Sequence, residues 1–159
     1  MYPALHSSPE TMALDSNVRT WATAISTHAD DGRKVIFRYA DELSLAFEPA
    51  SQPIRIMIAW KYQSERGLPV VEDNQRMNAL EDALEAVLKE DGFATLALVS
   101  TGEGLREWTY YAKSEDDFMA RLNYALAGIP KFPIEIHTTH DPSWDLWEQF
   151  KAGVKQTAR

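Results

Sequence analysis

The sequence predicts an α+β fold in which an antiparallel sheet carries two helices on one face. From residue 54 onward, stretches with strand-like and helix-like periodicity follow in the order strand, helix, strand, strand, helix, strand. Turns that contain glycine or proline separate most of these stretches. This order is the split βαβ arrangement of a ferredoxin-like domain, which we expect over about residues 54–138.

The chain ahead of this core predicts a tail and then a helix. Residues 1–14 combine prolines with no periodicity, which indicates a flexible tail before a single domain of residues 15–159. Asp15–Asn17 is a capping cluster that predicts an N-terminal helix, closed by the turn at Gly32. The apolar positions of this helix are Val18, Trp21 and Ile25.

Strands are predicted next. Lys34–Tyr39 has the composition of a strand, and Leu43–Phe47 is either its continuation or its hairpin partner. Ile54–Tyr62 alternates so that its isoleucines and Trp60 share one side, which is typical of a strand. The loop Gln63–Val71 leads into the first core helix.

The segment from residue 77 to residue 112 has the most regular pattern. Its first part predicts a core helix that ends at Asp91-Gly92. Two strands, Phe93–Ser100 and Leu105–Ala112, follow on either side of a turn at Thr101–Gly104. The buried stripe of the helix is Met77, Leu80, Leu84, Val87 and Leu88. The second strand places Arg106, Trp108 and Tyr110 on one side and Glu107, Thr109 and Tyr111 on the other.

The last part of the chain predicts two helices and a strand. Ser114 and Asp117 resemble a capping box at the start of the second core helix, and Gly128 ends it. Phe132–Thr138 predicts the last strand. Asp141-Pro142 supplies a capping acid and a proline at the first helical position, which predicts a C-terminal helix. The apolar stripe of that helix is Trp144, Trp147, Phe150 and Val154.

A chain of 159 residues is long enough to bury one hydrophobic core without disulfides or metals. We expect this core to lie between the sheet and the two core helices. Its predicted members are Ile54, Ile56, Ile58, Leu84, Leu88, Phe118, Leu122, Ile134 and Ile136.

The composition restricts location and partners. The chain has no cysteine, which excludes disulfides and thiolate metal sites and indicates a cytoplasmic setting. The sequence shows neither a signal peptide nor a stretch of about 20 apolar residues, so we expect no membrane partner. A net charge of −8 makes general nucleic-acid binding unfavourable. We expect a protein partner or a homodimer, and neither a cofactor nor a metal.

Four segments together resemble a known family: Leu80–Leu84, Thr101–Gly104, Arg106–Tyr111 and Asp141–Trp144. In order and spacing they are similar to the bacterial family known as domain of unknown function 695, over about residues 34–150. In some bacteria that domain is similar to, or fused with, a domain like protein B of the regulators of ribonuclease E activity. The resemblance implies a ferredoxin-like fold and a regulatory binding role, and it implies no catalytic residues.

One alternative function is catalysis. A small, hydrolase-like acid/base enzyme would use Glu81, Asp82, Glu107 or His137. The simpler interpretation gives Glu81 and Asp82 a structural hydrogen bond to the backbone or to an arginine. His137 and His140 are three residues apart on a strand, so their rings point to opposite faces, which argues against a metal site.

The aromatic strand Leu105–Ala112 admits two functional interpretations of its own. Arg106 and Glu107 flank a turn, where a charged pair either binds an anionic ligand or only solvates an edge strand. This strand also occupies the place where an RNA-recognition motif carries its stacking aromatic residues, but the basic and glycine positions of that motif are absent. The position of this strand, together with the resemblance to a ribonuclease E regulator domain, gives a third hypothesis, which is a regulator of RNA metabolism that binds RNA or a ribonuclease.

The main site prediction concerns the sheet face that the two core helices leave free. The terminal helices or a second copy of the chain would cover this face in part and leave a groove around Arg55, Glu107 and His137 that suits a peptide or a small anion. Tyr111 shares the face, and Trp144 and Trp147 mark a partner site if they are not packed on the domain. The sequence thus predicts a binding or regulatory module without catalytic activity.

Overall fold

The computed structural model describes residues 17–157. The predicted tail and the first part of the predicted capping cluster lie outside the described residues. The strands are β1 (Val18–Thr27), β2 (Lys34–Leu43), β3 (Ile54–Lys61), β4 (Ala94–Gly102), β5 (Leu105–Ala112) and β6 (Ile134–His140). The helices are α1 (Val71–Leu88), α2 (Glu115–Leu126) and α3 (Asp145–Thr157).

The strands form one antiparallel sheet in the order β1-β2-β4-β5-β3-β6. The predicted α+β class is confirmed. The predicted sheet is too small, because β1 and β2 extend it beyond β4. The strand order of the complete sheet therefore differs from that of a four-stranded ferredoxin-like sheet.

The helices α1 and α2 pack against one face of the sheet. The stripe that α1 buries contains Met77, Leu80, Leu84 and Leu88, which recur at the spacing of one helical face. The predicted core is confirmed, with Ile54, Ile134 and Ile136 packed against its margin. Its buried members include Ile56, Ile58, Trp60, Leu84, Leu88, Trp108, Phe118 and Leu122.

A second, smaller cluster lies on the opposite face. Trp147 of α3 and the preceding Trp144 pack there against Ala40 of β2, Ala97 of β4 and Tyr111 of β5. The domain therefore has three layers, with α1 and α2 on one side of the sheet and α3 on the other.

The predicted N-terminal helix is wrong, because Val18–Thr27 forms strand β1. This segment pairs with β2 along its length, and Ile25 lies opposite Ile36. The capping residue Asn17 has a different role, since its Nδ2 donates to Thr95 Oγ1 at 2.9 Å. Threonine, valine and isoleucine favour strands, and pairing with a neighbouring strand decides between the two periodicities.

Three predicted boundaries are corrected. The strand that starts at Lys34 continues to Leu43, and its hairpin partner is β1 rather than residues 43–47. The strand predicted to end at Thr138 continues to His140. The C-terminal helix begins at Asp145, so Pro142 does not occupy the first helical position. Asp141 still caps this helix, since its Oδ1 accepts from Asp145 N at 2.9 Å.

Two predicted local motifs are confirmed. Glu103 and Gly104 connect β4 to β5 with φ angles of 53° and 75°, as a two-residue hairpin turn requires. Ser114 caps α2, because its side chain accepts from Asp117 N. None of the helices within residues 17–157 is long and apolar enough to cross a bilayer.

Candidate functional site

A groove of about 410 Å³ lies between α1 and the strands β2, β4 and β5, and we name it the Arg106 groove. The charged residues that line it, Arg38 and Arg106, are both arginines, although the chain as a whole carries a net charge of −8. The other lining residues are apolar or uncharged, namely Ile36, Leu68, Pro69, Val71, Asn74, Asn78, Val99 and Thr101.

Arg106 is the most buried charge in this groove. Strand alternation turns its side chain toward α1, where it is only 9% exposed. The Nε donates to Thr101 Oγ1 and the Nη2 to Asn74 Oδ1, each at 2.8 Å. The Nη1 lies 3.5 Å from Asn78 Oδ1. All of these acceptors are neutral oxygen atoms, so the guanidinium is hydrogen-bonded but is not neutralised.

Electrostatics support this description of Arg106. Among residues 17–157, no carboxylate lies within ion-pair distance of its guanidinium. Burial lowers the pKa of Arg106 from its usual range, and the more distant Glu81 opposes that effect. An arginine keeps its charge nevertheless, because its ordinary pKa is far above neutral pH. The groove therefore contains a poorly solvated positive charge.

The second arginine of the groove is already paired. Arg38 Nη2 lies 2.8 and 2.9 Å from the two carboxylate oxygens of Glu81. Trp108 Nε1 donates to Glu81 Oε1 at 2.9 Å and fixes the carboxylate from the sheet side. Because Glu81 balances Arg38, the two arginines and this carboxylate together leave one net positive charge, which is that of Arg106.

The opposite face contains a hydrogen-bonded cluster around Asp141, which we name the Asp141 cluster. Its Oδ2 accepts from Tyr111 Oη at 2.8 Å and from Arg55 Nη1 at 2.9 Å. Asp145 N and Leu146 N also donate to this carboxylate. Burial alone would raise the pKa of Asp141, but these hydrogen bonds outweigh it and hold the pKa below its usual range. The cluster attaches the start of α3 to the sheet.

The residues predicted to bind a partner on that face occupy different environments. Tyr111 and Arg55 belong to the Asp141 cluster. Trp144 and Trp147 are buried, with 0% and 4% exposure, and their indole nitrogens donate to backbone carbonyls. The remaining two residues have no direct bond to this cluster. Glu107 is half-buried, and the side chain of His137 is 65% exposed. Ligand binding on this face stays a prediction.

The candidate acid and base residues do not converge. Glu81 lies on the face that α1 covers, whereas the register places Glu107 and His137 on the opposite side of the sheet. Asp82 is exposed on α1. In the part of the chain that the structure describes, no group of three or more His, Asp or Glu side chains is arranged to hold a metal ion.

The family of unknown function DUF695 matches residues 19–151. The chain belongs to this family. The predicted resemblance to DUF695 is confirmed, and the match includes both the Arg106 groove and the Asp141 cluster. The further similarity to protein B of the regulators of ribonuclease E activity stays a prediction. No curated protein and no solved structure matches the chain at a significant level.

The segments that carry the DUF695 resemblance meet in space at two places. Thr101 and Arg106 come from two of these segments and line the Arg106 groove, and Glu81 of a third segment pairs with Arg38 there. The end of the aromatic strand and the Asp-Pro-x-Trp segment meet at the Asp141 cluster, where the rings of Tyr111 and Trp144 stack. The second meeting point holds the fold together, and the first is open to solvent.

Sequence reasoning for this DUF695 member identified Arg106 but missed most of its surroundings. Arg106 and Glu107 point to opposite faces, so they do not act as a pair. Asn74, Asn78 and Glu81 are spaced four and three residues apart, which places them on one face of α1. That polar stripe beside the buried stripe was a readable signal. The contribution of Arg38 to the groove could not be predicted from the sequence, because it depends on the pairing of β2 with β4.

Proposed function

We propose that this protein is a binding module whose Arg106 groove receives a carboxylate group of its ligand on the Arg106 guanidinium. The observation that carries the proposal is a buried arginine whose acceptors are all neutral. A buried charge is unfavourable unless an opposite charge compensates it, and a bound carboxylate supplies that charge. Arginine is well suited to this role, because its planar group donates two parallel hydrogen bonds to one carboxylate.

The residues that line the groove indicate a ligand whose carboxylate is attached to an apolar group. Ile36, Leu68, Pro69, Val71 and Val99 contribute hydrocarbon surface around the arginine. Binding sites of this kind combine apolar walls with a few placed polar groups, which fix the orientation of the ligand. The single net positive charge favours a singly charged carboxylate over a group with several charges.

Binding rather than acid/base catalysis is supported by the positions of the candidate groups. Both oxygens of Glu81 already accept from Arg38, and one also accepts from Trp108. Acid/base catalysis requires two groups within reach of one substrate, but Glu107 and His137 lie across the sheet and Asp82 is exposed on α1. We infer a cytosolic setting from the cysteine-free sequence, and a regulatory role in bacteria from the resemblance to DUF695.

We also infer that the region from β3 to β6, with α1 and α2, is a ferredoxin-like unit. Within the larger sheet, β4, β5, β3 and β6 are consecutive neighbours and each pair is antiparallel. A split βαβ unit has this pattern of neighbours. On this interpretation β1, β2 and α3 are additions, and the addition of β2 supplies one wall of the Arg106 groove.

The proposal is tested with hexanoate and hexanol, which have the same chain length and differ in charge. Backbone amide chemical shifts of Asn74, Asn78 and Thr101 report on the groove. We expect hexanoate to shift these amides with an affinity on the order of 1 mM, as suits a ligand of this size, and hexanol to bind at least tenfold more weakly. Equal shifts with both compounds would show that Arg106 has only a structural role.

Variants sharpen this test. Arg106→Met keeps the volume of the side chain and removes its charge, and it should weaken hexanoate binding at least tenfold. The control is Arg76→Met, because Arg76 lies on α1 and stacks over Trp60 without lining the groove. Circular dichroism verifies that both variants are folded. If Arg106→Met does not fold, Arg106→Lys replaces it as the variant, because lysine retains a positive charge. The comparison of hexanoate with hexanol on the unmodified protein also tests the proposal without any variant.

A further inference from the structure

The Arg106 groove continues into exposed apolar surface on both of its sides. On the strand side, Trp21 and Ile25 of β1 are 43% and 57% exposed. On the helix side, Val71, which itself lines the groove, is 68% exposed, and Val70 before it is 51% exposed. We name these four residues the apolar rim. They account for most of the large hydrophobic side chains that are exposed within residues 17–157.

The register places the strand half of this rim beside the groove. Ile25 lies opposite Ile36, and Ile36 lines the groove. Trp21 lies on the same side of β1, with the Arg38 guanidinium 5.8 Å from the centre of its ring. Side chains two and four residues apart on a strand share a face, so Trp21 and Ile25 extend the wall that Ile36 and Arg38 begin.

We infer that the ligand of the Arg106 groove is an extended peptide segment of a partner protein, with an acidic residue between apolar residues. This inference rests on the proposed function, since the acidic side chain would supply the carboxylate that Arg106 binds. The apolar rim would contact the residues on either side. A small carboxylate would fill the groove alone and leave Trp21, Ile25 and Val70 exposed, whereas a peptide would cover these residues as well.

The net charge of the protein restricts where an acidic segment can bind. At a net charge of −8, most of the surface repels an acidic segment, and the Arg106 groove is a place where two arginines and one carboxylate leave a positive charge. A nucleic-acid strand would need several cations along its backbone, and the rim supplies hydrocarbon instead. Exposed apolar surface next to polar groups marks a site for a protein partner.

The experiment is a selection of twelve-residue random peptides displayed on phage against the immobilised protein. We expect the selected sequences to contain an Asp or Glu flanked by apolar residues and to be displaced by hexanoate. A fluorescently labelled selected peptide then measures affinity by polarisation. Arg106→Met should weaken its binding at least tenfold and Trp21→Ala at least fivefold, while hexanoate binding is unchanged in Trp21→Ala.

Matched controls are Leu45→Ala and Tyr124→Ala, whose side chains are 88% and 79% exposed outside the rim and should leave the affinity unchanged. Three results would overturn this inference: enrichment of basic sequences, no enrichment, or a peptide affinity that Trp21→Ala does not alter. If hexanoate still binds in such a case, the proposed function is upheld. Failure of hexanoate to bind would remove the proposed function as well. A dimer in analytical ultracentrifugation that Trp21→Ala dissociates would identify a second copy as the occupant and overturn the partner peptide.

Discussion

Tyr111 and Trp144 stack face to face, with ring centroids 4.1 Å apart and ring planes 8° from parallel. Trp144 adopts a φ of 55°, a left-handed conformation that is unfavourable for a large side chain. Its burial against Tyr111 and the two hydrogen bonds of its indole, to Pro49 O and Gln52 O, offset that cost. Tyr111 also donates to Asp141, so one tyrosine holds the start of α3 through its ring and its hydroxyl.

Replacing Tyr111 by phenylalanine separates these two contributions. Tyr111→Phe keeps the stacked ring and removes the donor to a buried carboxylate. We expect the free energy of unfolding to fall by about 1.5–3 kcal/mol, the range for a hydrogen bond to a charged group. Urea unfolding followed by circular dichroism measures it. Tyr124→Phe is the control, because Tyr124 is 79% exposed, and a Tyr111→Phe protein as stable as the control would contradict the prediction.

Asp141 predicts how stability depends on pH. Its pKa is lower in the folded protein than the usual value near 3.8, so its stabilising effect is complete above that value. The effect is lost as pH falls through the lowered folded pKa. We therefore expect Asp141→Asn to be less stable than the unmodified protein at pH 7, and the difference to shrink as pH falls below about 4. Urea midpoints between pH 7 and pH 2.5 measure this, and a constant difference would refute it.

The core assignment predicts a large effect at Leu84, which lies on the buried face of α1 and is 1% exposed. Leu84→Ala removes buried methyl groups and leaves a cavity, so we expect a loss of about 2–5 kcal/mol. Leu45→Ala is the matched substitution at an 88% exposed position and should cost less than about 0.5 kcal/mol. Equal losses in urea unfolding would show that α1 does not bury this face.

The hairpin between β4 and β5 offers a stabilising change. Glu103 has a φ of 53°, which asparagine adopts more readily than glutamate, and Asn-Gly is the preferred pair for such a turn. We expect Glu103→Asn to raise the free energy of unfolding by about 0.5–1 kcal/mol. The contacts that this change removes, between the Glu103 carboxylate and the side chains of Arg33 and His28, are exposed and contribute little. A loss of stability in thermal unfolding would contradict the prediction, and Glu65→Asn in the adjacent loop is a control.

Local patterns in the sequence determined most of the core. The stripe of α1, the hairpin turn at Glu103-Gly104 and the Ser114 cap each depend on residues close together in the chain. Such local patterns predict the structure correctly because the same short-range sterics and hydrogen bonds act in any tertiary context. The alternation in β5 also fixed that Arg106 and Glu107 face opposite sides.

Tertiary structure decided what those local patterns left open. Residues 18–27 satisfy a helical and a strand pattern, and only pairing with β2 makes them the strand β1. The pairing of β2 with β4 brings Arg38 to Glu81 of α1, which lies 43 residues later in the chain. Whether Arg106 meets a carboxylate depends on which side chains arrive from distant elements. The sequence by itself therefore determined the elements from β3 onward and the faces of their side chains, and long-range strand pairing determined β1 and the groove.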